Sequence, residues 1–245
     1  IGHDVRWTDN DIEPDAYIVE AVMPKHLRHD RPIIVHAENL ISRGAIETHA
    51  WRTGAAVVFN SDWLRRLFRT TYGGEHRVVE VIPPAFDARS TGPRMLPSPP
   101  SAEEVVIACA SKWWKRPYKR LPLHVKAVEI LRTDFGWKQA RLHIFGWEPT
   151  MPYFHTPPHY WAGMNMRGVR IHQRSFYRMT WPDLLSQTHL LLHASAIDSG
   201  PQVVMEALSR GIPSVISNNM GAVEWIRDVG KAAGRVVEID NVTEV

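Results

Sequence analysis

The residue types best able to do chemistry are concentrated between Asp198 and Gly211, which read Asp-Ser-Gly-Pro-Gln-Val-Val-Met-Glu-Ala-Leu-Ser-Arg-Gly. Pro201 suits the first position of a helix, where a missing N–H is harmless and φ is preset. Gly200, as the N-cap before it, lets the backbone approach a ligand closely. The amides of Gln202 and Val203 then point out of the helix start with the positive end of its dipole, a site for an anion such as a diphosphate. Asp198 stands just before the turn, Ser199 lies within it, and Glu206 follows Asp198 by eight positions, inside the helix. Two carboxylates there repel phosphate but accept hydrogen bonds from sugar hydroxyls on either side of it. A plain helix start with a solvent-facing Glu206 has the same composition, so support must come from elsewhere in the chain.

A second concentration is Lys112-Trp-Trp-Lys-Arg-Pro-Tyr-Lys-Arg120. Its cations could neutralise a phosphate. The same residues also fit a solvated charge run, a membrane-surface patch using Trp113 and Trp114, or a stacking platform for single-stranded nucleic acid. Nothing else in the chain supports the last of these. Other signals carry less. Asp9-Asn-Asp11 fits an Asp-x-Asp metal motif but reads as a polar turn. His155 and His159 have helical spacing, yet Pro157 and Pro158 forbid the helix that would align them. Cys109 has no identified base to make it a nucleophile. The reading therefore includes no metal and no cofactor.

Composition sets the outer bounds. The 245 residues can bury one large core or two small ones. Basic residues outnumber acidic ones only by 29 to 26, too mild an excess to argue for nucleic acid. Cations are nevertheless clustered, at Lys25 to His29 and at Arg65, Arg66 and Arg69 as well as after Lys112. No apolar run reaches the roughly 18 residues of a membrane span. The chain starts at Ile1 with no charged and then apolar leader pattern. A lone cysteine excludes an intrachain disulfide and fits a reducing, cytoplasmic setting.

The elements that must position these groups alternate between strand and helix patterns. β-rich runs fall at 16–22, 32–35, 55–59 and 78–82, with an amphipathic helix from Ser61, a good N-cap, carrying Leu64, Leu67 and Phe68 inward. A Pro-, Ser- and Gly-rich stretch at 89–103 reads as a linker between a first unit, 1–88, and a second, 104–245. The second series has strands at 105–109, 142–145 (ending at Gly146), 169–172, 190–193, 213–216 and 235–239. Helices are predicted over 118–132, with Leu121, Val125, Val128 and Leu131 inward, and over 201–210 and 221–228. Such alternation predicts mostly parallel α/β sheets with ligands at the carboxyl ends of the strands.

The segment Asp-Ser-Gly-Pro-Gln-Val-Val-Met-Glu-Ala resembles the carboxylate-x7-carboxylate motif of the retaining GT-B enzymes known as family 4 glycosyltransferases. In that family Glu-Gly-Leu-Pro-Asn-Val-Val-Leu-Glu-Ala is common. Asp198 stands where the family has a longer Glu. Ser195 before the motif, Gly211-Ile-Pro-Ser-Val-Ile after it and Gly221-Ala-Val-Glu224-Trp-Ile beyond continue the resemblance. It implies a GT-B fold of two Rossmann-like domains, with Glu206 on the nucleotide ribose and Asp198 on the transferred sugar. Lys119 matches the family's diphosphate-binding Lys. The neighbouring family Arg is not cleanly matched; Lys112 and Lys115 are both candidates, without the bidentate fork of Arg. Ile1-Gly-His-Asp-Val resembles the family's Gly-His-x-Val, which implies an amino-terminal domain truncated before its first strand and glycine-rich loop. His36 and Glu38 are candidates for the acceptor side, near the position of a family His.

The function so implied is transfer of a sugar, with retention and without metal, from a nucleotide-sugar donor to a glycan, lipid or small-molecule acceptor. The leaving diphosphate would be stabilised by prearranged charge. The basic clusters make an anionic membrane surface an expected peripheral location, and nucleic acid is not an expected partner. A catalytically silent GT-B-like domain that binds nucleotide-sugar or a partner is the alternative. An epimerase or phosphorylase of the same fold is more distant, and no lysine site for pyridoxal phosphate is evident.

Overall fold

The computed structural model describes residues 17–20, 33–37, 56–72, 79–84, 105–111, 117–146, 163–172 and 180–238. Two parallel sheets hold every described strand. The first contains β1 (Tyr17–Glu20), β2 (Ile33–Ala37), β3 (Ala56–Phe59) and β4 (Val79–Val81), side by side in chain order. Between β3 and β4 runs α1 (Asp62–Tyr72), whose Leu64 and Phe68 pack with Val57 and Phe59 in a small core. Ser61 caps this helix as expected, its Oγ accepting the Leu64 amide at 3.1 Å.

The second sheet contains β5 (Val106–Ala110), β6 (Arg141–Phe145), β7 (Val169–His172), β8 (Leu190–His193), β9 (Ser214–Ser217) and β10 (Gly234–Val237), in the order β7-β6-β5-β8-β9-β10. Counted from β5 this is the doubly wound order 3-2-1-4-5-6. Successive side chains on a strand face opposite sides, and β5 is buried throughout. Ala108 and Ala110 join Phe145, Leu191 and Ile216 in the larger core, while Ile107 and Cys109 join Leu142, Ile144 and Leu192 in the other. The helix α2 (Leu121–Thr133) contributes Leu121, Val125 and Val128 to the second of these. The larger core draws instead on α3 (Thr180–Ser186), α4 (Gln202–Ser209) and α5 (Ala222–Val229).

Element boundaries differ from the sequence expectation in instructive ways. Tyr118 and Lys119 belong to a 3-10 turn, Pro117–Lys119, and α2 begins only at Leu121, with Pro122 in its first turn. His124 takes a buried place on that helix, whereas Leu131 is only half-buried. The short helix α3, with Pro182 in its first turn, has no counterpart among the expected elements. Pro201 is not the first helical residue of α4 but its N-cap, extended at ψ 102, and Gly200 precedes the cap. The linker at 89–103, Asp9, Asp11, His155 and His159 lie outside the described residues.

Candidate functional site

In a doubly wound sheet the strand connections diverge at one point, leaving a crevice at the carboxyl ends of two neighbouring strands. Here those strands are β5 and β8, paired Ile107 to Leu190 and Ala108 to Leu191. Lys119 arrives from the segment after β5 and Asp198 from the segment after β8. The two segments are tied by the Ala196 amide, which donates to the Tyr118 carbonyl at 2.6 Å. Arg120, which follows Lys119, has left-handed backbone angles, φ 50 and ψ 42. For a residue with a Cβ that conformation costs roughly 1–2 kcal/mol, a strain located where the chain turns Lys119 toward the crevice.

Lys119 Nζ donates to Asp198 Oδ2 at 2.6 Å, with side chains only 11% and 16% exposed. His193, the last residue of β8, places Nε2 3.0 Å from the same oxygen. A carboxylate can only accept, so Nε2 carries the proton. The other ring nitrogen, Nδ1, is buried without a partner among the described residues. Burial alone would raise the Asp198 carboxyl, but the His193 hydrogen bond and the Lys119 charge outweigh it and hold the group well below the usual carboxylate range. Asp198 Oδ1 has no hydrogen-bond partner among the described residues. His124 braces this cluster: Nε2 accepts the Ala194 amide at 3.2 Å and Nδ1 therefore donates to the Arg120 carbonyl at 3.0 Å. Burial, opposed by that backbone bond, lowers its pKa to about 4.

The backbone of Asp198 is fixed by the Gly221 amide, 2.9 Å from its carbonyl. Gly221 is required by space, since a Cβ there would lie 2.0 Å from the Ser199 carbonyl oxygen and 2.5 Å from Ser61 Oγ. The first sheet reaches the same turn. Ser61 Oγ donates to the Ser199 carbonyl at 2.7 Å, and Asn60 Nδ2 donates to Ser199 Oγ at 3.2 Å. Glu224 of α5 accepts the Asp62 amide at 3.2 Å and pairs with Arg66 at 2.8 Å. The turn ahead of α4 and the start of α5 are thus held by residues that follow β3 of the first sheet.

Within α4, the Val204 amide already bonds the Pro201 carbonyl at 3.0 Å, which leaves Gln202 and Val203 as the leading amides of the helix start. Glu206 is half-buried on the next turn, and its Oε2 accepts the Trp181 indole N–H at 2.7 Å. Burial raises the Glu206 pKa; the indole hydrogen bond and the Arg210 charge oppose that only in part. Gly146, after β6, is buried at φ 94, a conformation natural to glycine.

Of the residues singled out in the sequence, the structure pairs Lys119 with Asp198, and Ser199, Gly200, Pro201, Gln202 and Val203 follow Asp198 into α4, with Glu206 on its next turn. Lys112, Lys115 and Glu38 lie outside the described residues. His36 is on β2, opposite Val58 of β3. The arginines expected to meet a membrane are partly engaged elsewhere: Arg65 and Arg66 both pair with Asp62, and Arg66 also with Glu224. No helix among the described residues is long and apolar enough to cross a membrane. Cys109 is fully buried in β5, which pushes its thiol up and away from reactivity. Sequence reasoning missed His193, His124 and Trp181. The only signal for His193 was a histidine ending an otherwise apolar strand.

The family described as "Glycosyl transferases group 1" matches residues 104–245, more than half of the chain. The chain belongs to this family. The match covers the sheet from β5 to β10 with Lys119, Asp198 and Glu206, so the candidate site lies within the part of the chain that matches the family. No curated protein matches the sequence. Among solved structures, Anabaena HepE in complex with UDP-glucose superposes with a TM-score of 0.60 at 19% identity, over 88% of this chain and 60% of its own. A glycosyltransferase from Rickettsia africae does so at 0.63 and 16% identity, over 86% and 57%. WaaG, a glycosyltransferase involved in lipopolysaccharide biosynthesis, does so at 0.60 and 15%, over 84% and 61%. At such identities the likeness establishes the fold, an α/β architecture of the GT-B kind. The chain spans about three-fifths of the length of these neighbours.

Proposed function

We propose that this chain carries the donor site of an enzyme that moves a sugar from a nucleotide-sugar to a hydroxyl of a glycan, a lipid-linked or a small-molecule acceptor. The observation that carries the reading is the Lys119–Asp198 pair at the switch point of the sheet, beside the start of α4. An ammonium has three donors, so pairing with Asp198 leaves Lys119 able to hold a phosphate oxygen. Together with the Gln202 and Val203 amides it would receive the charge that develops on the leaving diphosphate. Asp198 Oδ1 would accept from a hydroxyl of the transferred sugar and Glu206 Oε1 from the ribose. Lys112 or Lys115 would add a second cation, and Gly146 and Ser199 would border the nucleotide.

In this reading residues 104–245 form the donor unit and 1–88 the acceptor side, joined by 89–103, with His36 or Glu38 toward the acceptor. The chemistry is metal-independent, uses no cofactor and retains the anomeric configuration, as the family 4 resemblance implies. The setting is cytoplasmic, peripheral to a membrane where the acceptor is lipid-linked. The test is calorimetric titration of the chain and of Glu206→Ala with a panel of nucleoside diphosphates and their sugars. One nucleotide is expected to bind at micromolar concentration and to bind at least about tenfold more weakly to the variant. A folded sample that binds none of them would overturn the donor-site assignment.

A further inference from the structure

Trp181 occupies the start of α3, only 4% exposed, with its ring 5.2 Å from that of Phe145 and tilted by 41°. A buried indole needs an acceptor for its N–H, and a backbone carbonyl or a neutral side chain would serve. Here the acceptor is Glu206 Oε2, at 2.7 Å. The two helices are tied a second time by Arg210, whose Nη1 donates to the Pro182 carbonyl at 2.9 Å. Glu206 Oε1 has no hydrogen-bond partner among the described residues. A free glutamate side chain loses rotamer freedom when a ligand fixes it. An oxygen already anchored on Trp181 removes part of that cost before the ligand arrives.

We propose that Trp181 is a positioning residue for ribose recognition: by holding Glu206 through Oε2 it presents Oε1 to the hydroxyls of the donor's ribose. The proposal rests on the reading of Glu206 as the ribose acceptor and adds to it the residue that orients the carboxylate. Trp181 touches no ligand. Its effect must therefore depend on the ribose hydroxyls, whereas a purely structural tryptophan would alter binding of every nucleotide alike.

The experiment compares the tightest-binding ribonucleoside diphosphate with its 2′,3′-dideoxy counterpart by calorimetry on wild type, Trp181→Phe, Glu206→Ala and the double variant. Trp181→Phe is expected to weaken the ribonucleotide about tenfold and the dideoxynucleotide less than about twofold. In the Glu206→Ala background it is expected to change neither. Equal weakening of both nucleotides, or of neither, overturns the proposal. If Glu206→Ala leaves the preference for ribose intact, the reading of Glu206 itself fails and the proposal fails with it, a result distinguishable from a defect confined to Trp181. Should Trp181→Phe not fold, 3-benzothienylalanine at position 181 replaces the N–H by sulfur at nearly unchanged volume, and the same outcomes apply.

Discussion

Asp198 and Glu206 flank one helix start, yet their surroundings shift the two carboxyls in opposite directions. Asp198 is met by an ammonium and an imidazole N–H on one oxygen, and these outweigh its burial. Glu206 is met by one neutral indole N–H and by a more distant arginine, and burial prevails. The first carboxylate is therefore part of what holds this region together, while burial works against the charged form of the second. A group retained against its own contribution to stability is a stronger candidate for a ligand-binding role than one that is structurally compensated. Asp198 is bound into the architecture through Oδ2 and offers a ligand only its other oxygen.

The largest effect that can break this comparison is expected from Asp198→Ala. It leaves the Lys119 ammonium nearly buried without its carboxylate and should cost about 3–5 kcal/mol in denaturant unfolding at pH 7. Asp198→Asn combined with Lys119→Met should recover most of that loss, because both charges are then gone. A loss below about 1 kcal/mol for the single variant would show that the pair is weakly held, and the contrast with Glu206 would disappear.

The next effect concerns pH: His124 shares the upper acid range with His143, His172 and His193, all held low chiefly by burial, and Asp198 acts below it. A histidine whose folded pKa is lowered loses stability as pH falls through its unfolded value. For His124, lowered from 6.5 to about 4, this loss should reach roughly 3 kcal/mol between those values. His124→Asn should flatten that limb of the stability curve. A carboxylate held low behaves oppositely: its contribution is complete above its unfolded pKa and lost below it. The Asp198 limb should therefore begin only below about pH 4. If the acid loss of the wild type is unaltered by His124→Asn, the limb belongs to His143, His172 and His193 and not to His124.

The smallest effect, and the one of opposite sign, belongs to Glu206→Gln. The raised pKa means that ionised Glu206 costs stability once pH rises above its unfolded value near 4.3. The amide oxygen of Gln can still accept the Trp181 N–H. The variant should be equal to wild type or up to about 1 kcal/mol more stable at pH 7, and the gain should fade as pH drops below about 4. Marked destabilisation would place Glu206 with Asp198 among the compensated groups.

Much of this was legible in the sequence because it depends on local pattern. Apolar runs bounded by turn residues marked strands of both sheets, Ser61 marked a helix start, and the spacing of Asp198, Pro201 and Glu206 marked a turn leading into a helix. Boundaries were less secure. Whether Pro201 caps α4 or begins it depends on one ψ angle, which the fixed φ of proline does not set. Trp181 gave no signal because α3 is short, and its meaning lies in a hydrogen bond to a residue 25 positions away.

The sequence by itself determined the fold class, the family and the residue types gathered around the start of α4. These follow from periodicity, turn chemistry and a contiguous motif. Only the tertiary structure decided which oxygen of each carboxylate is occupied, that Lys119 and His193 share Asp198 Oδ2, and that Ser61 and Asn60, after β3 of the first sheet, hold Ser199. Those facts depend on the strand order that sets β5 beside β8 and on the close approach that Gly221 permits. Periodicity says which face of a strand is buried, but not which distant segment lies against it.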